Sequence, residues 1–234
     1  MLPLKDNVPT RSTPVVTIGI IVVNVLVWIW ELRHGVEREV VRWGYYPCEV
    51  QGPCVGAAAK HHKELVETVF SSMFMHGGWI HIGGNMLFLW IFGNNVEDAL
   101  GRVRFLLWYL VAGVAALALQ TAVTLHFSNA QGASIPNIGA SGAIAGVLGA
   151  YVLLLPRARV LTAIFLGFFF FFYEVPAVFF LGIWFLLQVW QGGFGIVHPQ
   201  AAGGVAVFAH IGGFVFGMLT VYVVARRRPL RPSW

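Results

Sequence analysis

Long apolar runs alternate with short polar segments along the chain, the pattern of a protein that crosses a bilayer several times. As a helix, a run of about 20 apolar residues crosses a hydrocarbon core of about 30 Å. The sequence therefore predicts an all-α fold, a polytopic bundle of six transmembrane helices. The predicted spans are residues 15–32, 79–96, 105–123, 140–155, 177–190 and 203–225.

Polar segments flank and interrupt this membrane domain. We predict a leader at residues 1–14, the membrane domain at residues 15–225 and a basic tail at residues 226–234. The first loop, residues 33–78, is long and carries aromatic side chains suited to a bilayer interface. The apolar run at residues 160–172 is short for a span, so we expect a re-entrant or interfacial segment there.

The positions of the basic residues predict how the spans are oriented. Because Lys and Arg favour cytoplasmic loops, six spans place the basic groups beyond the first loop, and both termini, in the cytoplasm. The first loop then lies outside with Lys and Arg residues of its own, which counts against this topology. The basic groups beyond the first loop are Arg102 and Arg104, Arg157 and Arg159, and residues 226–231.

Composition narrows the classes of protein and partner. Of the residues, 58% are hydrophobic and 11% charged, which indicates a membrane protein in contact with lipid. The net charge of +5 forms no basic stripe interleaved with aromatics, so we expect no nucleic-acid partner. The small chain without a fused soluble domain or transit peptide favours a prokaryotic plasma membrane, and its oligomeric state is not predicted.

The cysteines, Cys48 and Cys54, lie in the first loop. They are expected to pair only if that loop faces an oxidising compartment. With His61 and His62 they also permit a metal-site interpretation, but the spacing fits no strong zinc pattern. We therefore predict neither a metal nor a cofactor.

Polar side chains interrupt three of the predicted spans at a similar depth. In the predicted topology Ser141, His210, His81 and Asn85 all lie in the outer third of the membrane. Polar groups in lipid face inward and find partners, so such residues indicate function. Small residues at helical spacing, such as Gly142 and Gly213, allow close approach of spans four and six.

A serine near an imidazole favours acyl-transfer chemistry, because the base removes the hydroxyl proton. We place Glu97, Asp98 and Glu174 near the inner face, away from Ser141. We therefore expect a Ser-His dyad without a carboxylate. His81 and Asn85 share one helix face and, with the Ser141 amide, supply donors for an oxyanion.

Three motifs in order resemble those of the rhomboid family of intramembrane serine proteases. They are Gly139-Ala140-Ser141-Gly142, the segment Ala209-His210-Ile211-Gly212-Gly213 continued to Gly217, and the segment from His76 through His81 to Asn85. The resemblance implies Ser141 as nucleophile and His210 as base. It places the oxyanion site at His81, Asn85, the Ser141 amide and Gly139, and it implies that Glu97 braces span two.

The resemblance also implies a mobile fifth span and transmembrane helices as substrates. In many rhomboids the position of Ala145 carries an aromatic ring that stacks on the catalytic histidine. Phe208 and Phe214 are the candidates to replace it. Gln188 and Gln191 either line a gate or anchor span five at the interface, and we favour the anchor.

Two alternatives to a protease remain open from the sequence. A non-catalytic rhomboid-like protein would bind transmembrane segments without the dyad acting. A transporter or channel would place charged groups at the midplane, where this sequence has none. Labelling of Ser141 by a fluorophosphonate distinguishes the protease from both.

Overall fold

The computed structural model describes residues 2–60, 63–166, 169–197 and 206–226. Its helices are α1 (Val15–His34), α2 (Val36–Trp43), α3 (Leu65–Ser71), α4 (Trp79–Phe88), α5 (Asn94–Leu100), α6 (Arg102–Phe127), α7 (Ala130–Ala133), α8 (Ser141–Leu154), α9 (Ala177–Val197) and α10 (Val207–Val224). Its strands are β1 (Leu2–Asp6), β2 (Arg159–Leu166) and β3 (Phe169–Pro176). The fold is a helical membrane bundle with one small sheet.

Among the described residues, four helices are long and apolar enough to cross a membrane, namely α1, α6, α9 and α10. The other two predicted spans also fall on helices. Residues 79–96 lie in α4 and α5, which a π-helical turn at Leu89–Gly93 joins. Predicted span four is α8, which has 14 residues and is therefore about 21 Å long.

Helix α8 is the buried centre of the bundle, because it is apolar on every side. It packs against α6 and α10. Glycines allow the backbones of α8 and α10 to touch: a Cβ on Gly213 would clash with the Gly142 carbonyl oxygen, and one on Gly217 with that of Gly146. This contact brings the start of α8 beside the start of α10.

The sheet has the order β1-β2-β3 and both pairings are antiparallel. The sequence analysis predicted an all-α fold and no sheet. Residues 160–172, expected as a re-entrant or interfacial segment, instead supply β2 and much of β3, and the leader supplies β1. Pairing satisfies the backbone groups of this apolar run, whose β-branched and aromatic side chains suit strands.

The two ends of the bundle differ in chemistry. At one end Arg11 pairs with Asp98, and the backbone N–H of Arg226 donates to Ala99. At the other end the first loop lies beside the start of α8, where Tyr45 pairs with Asn137. At the end that carries Arg11 and Asp98, Glu97 of α5 also accepts hydrogen bonds from the N–H groups of Val16 and Thr17 in α1. These bonds connect α5 to α1.

Candidate active site

Ser141 and His210 lie in contact where α8 meets α10. Ser141 is the first residue of α8, and the Oγ atom lies 2.8 Å from Nε2 of His210. Both side chains are half-buried. The backbone N–H of Ser141 belongs to the first turn of α8, whose amides have no partner within the helix. The geometry therefore joins a hydroxyl, an imidazole and a helix N-terminus.

Two side chains of α9 hold the imidazole of His210 from its other side. Oε1 of Gln188 lies 2.8 Å from Nδ1 of His210, and the Trp184 ring centroid is 5.8 Å from that of the imidazole. Of the two candidates, Phe214 packs on Trp184 and Phe185. The Phe208 ring lies beside Gly192, where an added Cβ would be 3.0 Å from it.

The expectation that Gln188 anchors α9 at the interface is wrong, because this side chain is buried and faces His210. Gln191 is exposed. Trp184 and Gln188 lie four residues apart and share one helix face. In the sequence, an amide one turn after a tryptophan in an apolar span indicates a functional helix face. The sequence does not show which helix that face contacts.

His81 lies against the loop that precedes Ser141. Nδ1 of His81 is 3.4 Å from the backbone N–H of Gly77, which makes Nδ1 the acceptor and Nε2 the protonated nitrogen. A Cβ added at Gly139 would lie 2.7 Å from that Nε2 and 3.6 Å from Ser141 Oγ. Gly139 has φ +117°, which other residues rarely adopt. The His81 N–H donor is thus beside the serine.

Asn85 contacts His76 rather than the dyad. Nδ2 of Asn85 lies 3.0 Å from Nε2 of His76, whose Nδ1 is 3.2 Å from the Phe74 carbonyl oxygen. Burial, the largest cause, lowers the pKa of His76 to about 4, so the ring is neutral at pH 7. A neutral ring that donates through Nδ1 accepts from Asn85 at Nε2, which fixes the amide's orientation.

A buried carboxylate lies near the site, and the motifs in the sequence did not indicate it. Glu31, near the C-terminal end of α1, accepts from the backbone N–H of His76 with both oxygens at 3.2 Å. This contact holds the segment before α4 rather than His210. Within the described part of the chain, the hydrogen-bond acceptor at Nδ1 of His210 is an amide oxygen.

A small cavity opens beside the serine. Its volume is about 20 Å³, and its lining includes Ser141, Gly139, Asn137 and Ser72. A space of this size and polarity accommodates one water molecule, since about 10–15 Å³ is the minimum.

The residues considered for a metal site do not form one in the described structure. Cys48 and Cys54 are joined in a disulfide, which removes both thiolates as ligands. His61 and His62 lie outside the described residues. No group of three or more metal-binding side chains occurs among residues 2–60, 63–166, 169–197 and 206–226.

Residues 63–227 match the Rhomboid domain family. The mitochondrial Rhomboid protein 1 of Saccharomyces cerevisiae is 30% identical over 163 residues, which cover 68% of this chain and 42% of that protein. The mitochondrial Presenilin-associated rhomboid-like protein of Bos taurus is 33% identical over 152 residues, covering 64% and 36%. RHOMBOID-like protein 1 of Arabidopsis thaliana is 36% identical over 89 residues, covering 38% and 21%.

The matched segments span less than half the length of these relatives. Two of the three are named as mitochondrial, which conflicts with the expectation of a prokaryotic plasma membrane. The apolar helices and the match together indicate an integral, multi-pass membrane protein. Because the family match covers more than half of the sequence, the chain belongs to the rhomboid family.

Proposed function

We propose that the protein is a serine endopeptidase that hydrolyses peptide bonds in or near transmembrane segments of other membrane proteins. The observation that carries this proposal is the 2.8 Å contact between Ser141 Oγ and His210 Nε2. A hydroxyl hydrogen-bonded to an imidazole is the nucleophile and base of acyl transfer. The family match and the apolar surroundings support a substrate that is itself a membrane segment.

In the proposed reaction, Ser141 Oγ bonds to the scissile carbonyl carbon while its proton passes to His210 Nε2. The carbonyl oxygen becomes an oxyanion, which accepts from the Ser141 N–H, the Nε2–H of His81 and the second amide N–H of Asn85, the one that does not donate to His76. His210 then protonates the leaving amine as the C–N bond breaks. A water, activated by His210, releases the acyl group and restores the serine.

The disulfide supports the proposed orientation in the membrane. Disulfides persist in oxidising compartments, so the loop that carries Cys48 and Cys54 belongs outside the reducing cytosol. That loop lies at the Ser141 end of the bundle, and Arg11, Arg159 and Arg226 lie at the other. We propose that the site opens to the oxidising face, with both termini on the opposite face.

The dyad is tested by single substitutions in purified protein reconstituted into vesicles with a transmembrane reporter. Ser141→Ala and His210→Ala are each expected to reduce cleavage at least about 1000-fold, because the nucleophile and base act as one unit. Fluorophosphonate labelling should disappear in Ser141→Ala. Ser128→Ala, an exposed serine near the C-terminal end of α6, is the matched control and should retain both activities.

Cleavage by Ser141→Ala at the wild-type rate would overturn the proposal. A wild-type protein that binds the reporter without cleavage or labelling would favour a non-catalytic protein that binds transmembrane segments.

A further inference from the structure

We propose that Gln188 is a positioning residue that fixes the proton of His210 on Nδ1 and thereby makes Nε2 the base for Ser141. The inference rests on the proposed peptidase function and deepens it. It assigns to an amide on α9 the place that a carboxylate takes in a Ser-His-Asp triad.

The hydrogen-bond partners determine the tautomer. A carbonyl oxygen only accepts, so Oε1 of Gln188 at 2.8 Å requires a proton on Nδ1 of His210. A neutral imidazole carries one proton, which leaves a lone pair on Nε2, 2.8 Å from Ser141 Oγ. The opposite tautomer would direct an N–H at the serine and would have no basic nitrogen there.

Burial of Gln188 favours its hydrogen bond with His210 over an unpaired amide. The Gln188 side chain is buried within an apolar helix, so loss of its partner would leave a polar group without water. The ring of Trp184, one turn earlier on α9, lies against the same imidazole. Both restraints on the ring therefore come from one helix.

Helix α9 otherwise presents many side chains outward, including Phe179, Leu186 and Trp190. Because α9 supplies both restraints on His210, the base is aligned only while α9 lies against α10. Displacement of α9 would release the imidazole without any change in α8 or α10. The position of α9 thus controls the dyad.

Gln188→Leu removes the acceptor with little change in volume. We expect kcat for a transmembrane peptide to fall about 100-fold, the lower end of the range for general acid–base catalysis, with KM little changed. The rate of fluorophosphonate labelling should fall in parallel. Gln191→Leu makes the same chemical change at an exposed site of α9 and should leave both rates unaltered, and unfolding midpoints show whether each variant is folded.

Gln188→Glu keeps an acceptor and adds a charge. We expect substantial activity, with the acidic limb of the pH-rate profile moved to higher pH, because a carboxylate stabilises the imidazolium. Recovery of kcat in Gln188→Glu relative to Gln188→Leu separates the acceptor role from a purely structural one, which the carboxylate would not restore. Activity and labelling of Gln188→Leu equal to those of Gln191→Leu would overturn the inference, as would a pH profile of Gln188→Glu identical to the wild type.

Nitrogen-15 NMR of labelled His210 tests the tautomer apart from activity. We expect Nδ1 to carry the proton in the wild type and a mixture of tautomers in Gln188→Leu. A proton on Nε2 in the wild type would overturn the inference. A wild type that neither cleaves nor labels while Nδ1 carries the proton would remove the proposed function and leave the positioning role.

Discussion

At the residue scale, the candidate site depends on tight contacts between small and polar groups. Gly139 passes so close to the imidazole of His81 that any side chain would meet it. His76 and Glu31 hold the segment from which His81 and Asn85 project. The proposed oxyanion donors, His81 and Asn85, are thus held by neighbours to which the proposal gives no chemical role.

Gly139→Ala tests this arrangement. The new Cβ would lie 2.7 Å from His81 Nε2 at a backbone with φ +117°, so the donor must move. We expect kcat/KM to fall about 100-fold or more, the usual result of losing one oxyanion donor. The measurement is reporter cleavage together with fluorophosphonate labelling.

Gly78→Ala is the control for Gly139→Ala, because open space surrounds Gly78. Wild-type kcat/KM in Gly139→Ala would show that His81 does not act from its present position.

At the scale of the elements, α8 and α10 approach until their backbones touch, and this contact brings Ser141 beside His210. Spans four and six were predicted to pack closely from small residues such as Gly142 and Gly213. The structure has these two backbones in contact. Since backbone atoms cannot rotate away, a larger residue must separate the helices.

Gly213→Ala is therefore expected to destabilise the bundle by about 1–3 kcal/mol, as overpacking does. It should also slow labelling of Ser141, because His210 lies one turn earlier on α10. Denaturation in detergent and labelling rates measure both effects. Gly19→Ala in α1, where the Cβ meets open space, is the matched control, and equal stability of the two variants would contradict the close packing.

At the scale of the whole molecule, the N-terminal strand is attached to the centre of the bundle. Asp6 of β1 accepts hydrogen bonds from Tyr151 of α8 and Asn95 of α5. Burial, the largest cause, raises the pKa of Asp6 from 3.8 to about 6. The folded protein therefore binds this proton more tightly than the unfolded chain does.

This difference predicts a pH dependence of stability. The contribution of protonated Asp6 is fully present below about pH 4 and is lost as the pH rises through about 6. Asp6→Asn keeps an acceptor and cannot ionise, so it should be more stable than the wild type at pH 7.5. Unfolding midpoints between pH 4 and pH 8 test this, and equal pH slopes in the two proteins would contradict it.

The sequence by itself determined the helical membrane class, the family and the residues considered for the site. Apolar runs and short motifs are local patterns, and the requirement that lipid imposes on backbone polar groups makes those runs helical that are long enough to span the bilayer. The motifs therefore identified Ser141, His210 and Gly139 as candidate site residues from the sequence alone.

Only the tertiary structure decided which elements meet. The partner of β2 lies at the far end of the sequence, and Gln188 and Trp184 acquire their contacts from the rotation of α9 against α10. Likewise, Glu31 reaches His76 across the bundle. These contacts depend on how helices pack, which no local periodicity specifies, because many rotations bury similar apolar area.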